Sequence, residues 1–399
     1  MPSPRRRRLL ALFKVLLLIL SGISVAALID GWRAFGIAPG PADRARMEAS
    51  PRWCEGSFCN PEPIINHESR FVPELLQASS DATAAPGIPV FERTEAALGR
   101  PPDAPRVTWM GHSTVLIELD GLRVLTDPVW GARVSPFTWA GPRRFYRPPV
   151  SLEALGEIDV VLISHDHYDH LDQPTVEALS ATATIFVAPL GVAAHLRYWG
   201  VREDRIRQVD WWDEVEVDGL LFTATPARHA SGRHLLDRDR TLWCGYAIQG
   251  ESHRLFFSGD TGLFPAMKEI GARLGPFDLA MIEVGAYNRA WPDWHIGPEQ
   301  AVLAAGWTRS RRLLPIHWGL FNLAPHGWTE PMERVRVAAR RAALPLWSPR
   351  PGEPVELGDE PDFAPWWPTL PFRTAAENPI VSSGVELTEP ERQGISTVQ

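Results

Sequence analysis

Three imidazoles and two carboxylates fall within six consecutive residues, His165-Asp166-His167-Tyr168-Asp169-His170. They follow the apolar run Val160–Ile163, where a buried strand ends and the chain turns. Buried side by side without a partner, such groups carry a heavy desolvation cost. A divalent cation removes that cost, because imidazole nitrogen and carboxylate oxygen are the donors zinc prefers. The spacing His-x-His-x-Asp-His offers two pairs of donors. A tight turn lets His165 and His167 converge on one ion, while Asp169 and His170 point to a second. Asp166, between the ligands, is expected to orient one of them from the second shell rather than to bind.

Two ions need more ligands, and later strands supply them. Leu220–Pro226 leads to His229, Leu255–Gly259 to Asp260, and Leu313–Ile316 to His317. Each apolar strand delivers one donor at its end, where folds built on sheets present their sites. With the first cluster this makes seven ligands, enough for two four-ligand sites if one carboxylate bridges. Two ions about 3.5–4 Å apart hold a metal-bridging hydroxide at neutral pH and clamp a developing oxyanion. The attacked atom is phosphorus in a phosphodiester or carbon in an ester, lactone or amide. His295 is a candidate to stabilise that charge or to protonate the leaving group; the alternative is a hydrogen-bonded loop imidazole near a helix start. His112 follows a strand and reads as a second-shell or structural imidazole. His234 and His326 read as polar-loop residues. No Gly-x-Ser-x-Gly elbow occurs, which argues against a serine hydrolase. The His-rich set favours zinc, although iron or manganese would tolerate it.

These residues need a scaffold of sheets. Strands are expected at Val107–Met110, Thr114–Leu119, Arg123–Thr126, Val160–Ser164, Thr184–Ala188, Arg205–Val209 and Glu214–Val217. Others follow at Leu220–Pro226, Leu242–Ile248, Leu255–Ser258, Leu279–Val284 and Leu313–Ile316. Helical patterns cover Gln173–Leu179, Val192–Tyr198, Pro265–Leu274, Pro298–Gly306 and Glu330–Ala343. Early hairpins followed by alternating strands and helices predict an α/β chain of two sheets covered by helices. Four segments are expected: a membrane anchor or signal (1–30), an N-terminal extension wrapping the main domain (31–104), a hydrolase domain (105–360) and a loosely packed tail (361–399).

The chain of 399 residues can bury a sizeable core. Its net charge of −8, with no basic aromatic-interleaved stripe, argues against nucleic acid as a partner. Arg5–Arg8 precede an apolar segment, Leu9–Ile29, broken by Lys14. That length can span a bilayer core. The positive-inside rule then sets a single-pass anchor in a bacterial inner membrane with the catalytic domain in the periplasm. A cleaved signal peptide, giving a secreted or periplasmic protein, is the alternative. Cys54 and Cys59 form a small disulfide loop or remain two thiols. Trp291, Trp294, Trp318 and Trp328 line an apolar cleft or serve as core aromatics. Oligomeric state is not legible.

The motif set resembles the metallo-β-lactamase superfamily. It is most like the group of N-acylphosphatidylethanolamine-hydrolysing phospholipases D and their bacterial relatives. The likeness runs from Pro105 to Leu357. It rests on Trp109-Met110-Gly111-His112-Ser113-Thr114, the segment Ile163–Asp172, Pro226-Ala227-Arg228-His229, Gly259-Asp260-Thr261-Gly262, Gly285-Ala286-Tyr287 with His295, and Pro315-Ile316-His317-Trp318-Gly319. The resemblance implies an αββα sandwich and two Zn2+ per chain. His165, His167 and His229 would hold one ion, and Asp169, His170 and His317 the other, with Asp260 bridging. Asp169 and His295 would act at the reaction itself. The implied activity is a phospholipase D-type phosphodiesterase on membrane-derived phospholipids. A lactonase or carboxylic-ester hydrolase on the same scaffold is the enzymatic alternative, and a non-catalytic metal-bearing envelope binding protein is another.

Overall fold

The computed structural model describes residues 4–91 and 104–396. The N-terminal region comprises α1 (Pro4–Gly31), α2 (Pro41–Glu48), a ribbon of β1 (Trp53–Cys54) and β2 (Ser57–Phe58), and α3 (Glu68–Leu76). The main domain then runs β3 (Arg106–Gly111), β4 (Thr114–Leu119), β5 (Leu122–Thr126), β6 (Val160–Leu162), α4 (Gln173–Ser180), β7 (Ile185–Pro189), α5 (Ala193–Tyr198) and β8 (Ile206–Val209). Its second half is β9 (Glu214–Val217), β10 (Leu220–Thr225), β11 (Gly245–Gln249), β12 (Arg254–Phe257), α6 (Ala266–Arg273), β13 (Leu279–Glu283), α7 (Pro298–Trp307) and β14 (Leu313–Ile316). After it come α8 (Glu330–Arg341), β15 (Pro354–Glu356) and α9 (Glu389–Ser396).

One sheet has the order β15-β3-β4-β5-β6-β7-β8 and the other β14-β13-β12-β11-β10-β9. Side-chain alternation explains how they stack. In β6, Val160 and Leu162 join the core between the sheets, with Phe222, Tyr246 and Met281 of the facing sheet. Val161 points the other way, into a cluster with Val176 and Leu179 of α4 and Leu196 of α5. Both faces are buried, so the strand reads as a continuous apolar run. Met267 and Ile270 of α6, Ala301 of α7 and Val335 of α8 cover the outside of the second sheet. Helices therefore flank two packed sheets, the αββα sandwich. Strands β5 to β8 are parallel, as are β12 to β14. Their carboxyl ends can therefore share one edge.

Four sequence expectations change. Residues 4–31 form one continuous helix, yet among the described residues no helix is long and apolar enough to cross a membrane. The longest run of described side chains in α1, Leu12–Ile19, is exposed. The side chains of Arg5–Arg8, on which the orientation rested, lie outside those described. The tail is docked rather than loose: Trp367, Ala375, Ile380 and Ile395 are buried, and Asp293 accepts hydrogen bonds from the Ser383 amide and hydroxyl at 2.7 and 2.6 Å. Residues 242–244 precede β11 instead of belonging to it. Their amides turn to the other sheet, Leu242 to the Leu190 carbonyl and Cys244 to that of Ser164. Finally, β1, β2 and β15 escape a periodicity reading because they are two or three residues long. Cys54 and Cys59 are disulfide-bonded across the β1–β2 turn. Residues 92–103 of the expected extension lie outside the described residues.

Candidate metal centre

Strand ends converge at one edge of the sandwich. Asp127 follows β5, His165 lies three residues past β6, Asp260 three past β12, and His317 directly follows β14. Glu283 is the last residue of β13, His112 sits on the β3–β4 turn, and His229 stands on the loop after β10. Asn60 of the N-terminal region clamps that loop. Its amide donates to the His229 carbonyl at 2.7 Å and its oxygen accepts the His229 amide at 3.0 Å.

Asp260 is the hub. Its Oδ2 lies 3.0 Å from His317 Nε2, 3.1 Å from His170 Nε2, 3.7 Å from His229 Nε2 and 3.9 Å from His165 Nε2. On one side, His167 Nδ1 lies 2.9 Å from His165 Nε2 and 3.3 Å from His229 Nε2. On the other, Asp169 Oδ2 lies 3.3 Å from both His170 Nε2 and His317 Nε2. Thus all seven residues expected as ligands meet, in two groups around one carboxylate. Donor atoms within each group lie within 4.8 Å of one another.

The groups fit a cation better than they fit each other. His170 Nε2, His317 Nε2 and Asp260 Oδ1 are buried and make no hydrogen bond. Buried polar atoms left without partners are rare, and these crowd one small volume. The remaining ring atoms fix the tautomers. His229 Nδ1 lies 2.9 Å from the Trp294 carbonyl, which can only accept, so Nδ1 carries the hydrogen and Nε2 is free. His170 Nδ1 likewise donates to Asp127 Oδ2 at 2.7 Å. His165 Nδ1 donates to Ser164 Oγ at 2.9 Å, and that hydroxyl donates to Asp127 Oδ2 at 2.6 Å. One carboxylate therefore orients an imidazole in each group.

Charge follows position. Burial holds His165, His167 and His229 below the usual imidazole range, with neighbouring imidazoles adding to the effect at His165 and His229. Burial opposes protonation of His170 and His317 too. There the carboxylates win: Asp260, Asp169 and Asp127 hold His170 well above its ordinary value, and Asp260 and Asp169 push His317 up to about 10. Burial opposes ionisation of Asp260, but His170 and His317 outweigh it and hold the carboxyl well below its usual range.

His112 stands behind the ligands, with Nε2 3.0 Å from Asp169 Oδ2, and burial lowers it to about 3. His295 faces the site. Its Nδ1 lies 2.8 Å from Glu283 Oε2 and 3.8 Å from Asp260 Oδ2. Asp166, expected to orient a ligand without binding the ion, hydrogen-bonds the neighbouring chain rather than a ligand imidazole. Its carboxylate accepts the Gly232 amide at 2.7 Å and the Thr241 hydroxyl at 2.8 Å, which pins the backbone between His165 and His167. His234 lines the cleft, while His326 stacks on Tyr287.

Sequence reasoning missed Asp127 and Glu283. The available signal was a carboxylate at the end of an otherwise apolar strand, in Val124-Leu125-Thr126-Asp127 and Ala280-Met281-Ile282-Glu283. Both are fully buried.

A cleft of about 670 Å3 opens above the cluster. His167, Asp169, His229, Asp260, His295 and His317 lie in it, between walls that include Phe71, Leu75, Leu235, Trp291 and Trp294, with Arg238 as a cation. The cleft role expected for tryptophans thus falls to Trp291 and Trp294. Trp318 stacks on Trp109 at 5.1 Å in the core, and Trp328 belongs to the same core.

This chain belongs to the metallo-β-lactamase superfamily: residues 122–318 match the Beta-lactamase superfamily domain, and it is a metal-dependent hydrolase of that superfamily. It is 46% identical over 336 residues to an uncharacterized protein of Mycobacterium tuberculosis, covering 81% of this chain and 89% of the other. It is 41% identical over 236 residues to N-acyl-phosphatidylethanolamine-hydrolyzing phospholipase D 1 of Caenorhabditis elegans, covering 56% of this chain and 65% of the other. Among solved structures it is similar in fold to a metallo hydrolase of Ignicoccus hospitalis, with 24% identity and a TM-score of 0.50, covering 63% of this chain and 97% of that one.

Proposed function

We propose that this chain is a dinuclear zinc phosphodiesterase that cleaves phospholipid-like substrates on the phospholipase D side of the phosphate. His165, His167 and His229 would hold one ion and Asp169, His170 and His317 the other, with Asp260 shared. The observation that carries this reading is the position of the Asp260 carboxylate, within 3.0–3.9 Å of imidazoles from both groups. When bound, the ion pair supplies a hydroxide nucleophile at neutral pH and Lewis-acid stabilisation of the attacked phosphoryl oxygens.

The protein's own residues supply the rest. Glu283 accepts the His295 Nδ1 hydrogen, which fixes the ring. The opposite nitrogen, Nε2, is then the atom available to protonate a leaving oxygen. Phe71, Leu75, Leu235, Trp291 and Trp294 offer apolar surface for acyl chains, and Arg238 offers a charge for a phosphate. The name of the Caenorhabditis elegans relative supports an N-acylated phosphatidylethanolamine as the first substrate to test.

The experiment supplies N-acylated and ordinary phosphatidylethanolamine to zinc-loaded protein and measures phosphatidic acid by mass spectrometry. Release of phosphatidic acid supports the reading. No turnover of any phosphodiester, together with acid release from a lactone or carboxylic-ester panel, would replace it with the esterase alternative.

A further inference from the structure

The segment that follows α1 reaches into the back of the metal-binding turn. Trp199 Nε1 donates to the Arg33 carbonyl at 2.8 Å. Arg233 Nε donates to the Ala34 carbonyl at 2.7 Å, and Nη1 of the same guanidinium donates to the carbonyls of Asp166 at 2.6 Å and Leu171 at 2.9 Å. That guanidinium is buried against the Tyr168 and Trp199 rings, its carbon 4.1 and 5.0 Å from their centres. The Ile37 amide donates to His195 Nδ1 at 3.1 Å.

The last contact has a chemical consequence. An imidazole nitrogen that accepts a hydrogen bond carries no proton, so in neutral His195 the hydrogen sits on Nε2. Nε2 lies 3.5 Å from Asp166 Oδ2. The strap therefore sets the tautomer that lets His195 act as the third donor toward Asp166, beside Gly232 and Thr241. Gly36 shows how close the fit is. It adopts a φ of +76°, and a Cβ there would lie 2.1 Å from His195 Nδ1.

We infer that residues 33–37 are part of the metal centre's support, with His195 and Arg233 as positioning residues that hold the His165–His170 turn through Asp166. Neither touches a proposed ligand side chain, so both act through the turn. The strap continues directly from α1, with the Phe35 amide bonded to the Gly31 carbonyl. The inference rests on the metal reading of the site.

The test uses the full chain loaded with zinc and follows transfer of the metal to a chromophoric chelator. His195→Phe keeps a flat ring against Trp199 and removes both polar contacts. Gly36→Ala disturbs the same ring from the strap side. Glu177→Gln serves as the control, because it breaks the surface ion pair with Arg33 and leaves Asp166 untouched. Zinc release is expected to be about 10-fold faster in the first two variants, the lower end of what losing a group bonded directly to a ligand costs in affinity, because His195 acts one step further out, and unchanged in the control. A strap that only adds folding stability would lower Tm in all three and leave release unchanged. Release within twofold of the parent in whichever of His195→Phe and Gly36→Ala remains folded would overturn the inference. Failure of the parent to bind zinc would instead overturn the metal reading itself.

Discussion

Asp127 is the most exacting test of the site, because it binds no ion in the proposed scheme and still serves both ligand groups. Its Oδ1 accepts the Ser164 amide at 2.7 Å, and its Oδ2 accepts the Ser164 hydroxyl and His170 Nδ1 at 2.6 and 2.7 Å. Asparagine at this position has nearly the same shape. Whichever way its amide is turned, the NH2 faces a buried donor. At least one charge-assisted hydrogen bond is lost, costing about 1.5–3 kcal/mol. Losing one outer-shell partner weakens metal affinity by about 10–100-fold, or roughly 1.4–2.7 kcal/mol, and Asp127 partners an imidazole in each group. The two routes agree on a weakening of at least ~10-fold. Asp127→Asn is therefore expected to bind zinc at least ~10-fold more weakly and to lose activity that excess zinc partly restores. Competition with a chelator of known affinity measures the first, and turnover against free zinc concentration the second. Folded Asp127→Asn with zinc affinity within threefold of the parent would refute the argument that tautomer control by this carboxylate holds the ligands.

Zinc affinity should rise steeply with pH, measured by competition between about pH 6 and 9. His317 is raised to about 10 and His170 well above its ordinary value, so each gives up a proton to an incoming ion and the slope approaches ~100-fold per pH unit. A flat profile would show that these rings are already neutral. The sign reverses for the stability of the metal-free chain: the raised imidazoles stabilise it below about pH 6.5, and that contribution disappears as pH climbs toward 10. Asp260→Ala should abolish turnover and leave less bound zinc by elemental analysis; full metal content with parental activity contradicts the shared-ligand role. His295→Ala should lower kcat by ~10²–10⁴ with zinc retained, and Glu283→Gln by less. An unchanged kcat for His295→Ala would return that residue to a loop role. Leu75→Ser, at an exposed wall position, should raise KM for long-chain substrates more than for short ones, with Tm nearly unchanged.

The ligands were legible because each rides on an apolar strand that must be buried, and a lone imidazole or carboxylate at such an end is conspicuous. The first cluster was stronger still, since adjacent residues reveal their own spacing. The layer behind them was not legible, and the reason is geometric. Asp127 meets its partners across 37 and 43 residues, and His195 meets Asp166 and Ile37 from another element. Sequence reveals a residue's type but hides a partner supplied by a neighbouring strand. The same limit hid the packing of the tail. The tail reads as polar and Pro-rich, yet its Ser382 and Ser383 satisfy buried groups near Asp293 and Gln300. Such contacts leave no periodicity, only isolated hydroxyls. The physical asymmetry is general to this architecture. Ligand type must match the ion, which restricts it to a few side chains that can be spotted in sequence. Ligand orientation needs only some acceptor behind Nδ1, and here a carboxylate, a hydroxyl and a main-chain carbonyl each fill that place. Substitutions among those acceptors should therefore disturb the centre in graded steps, where substitutions of the ligands remove it outright.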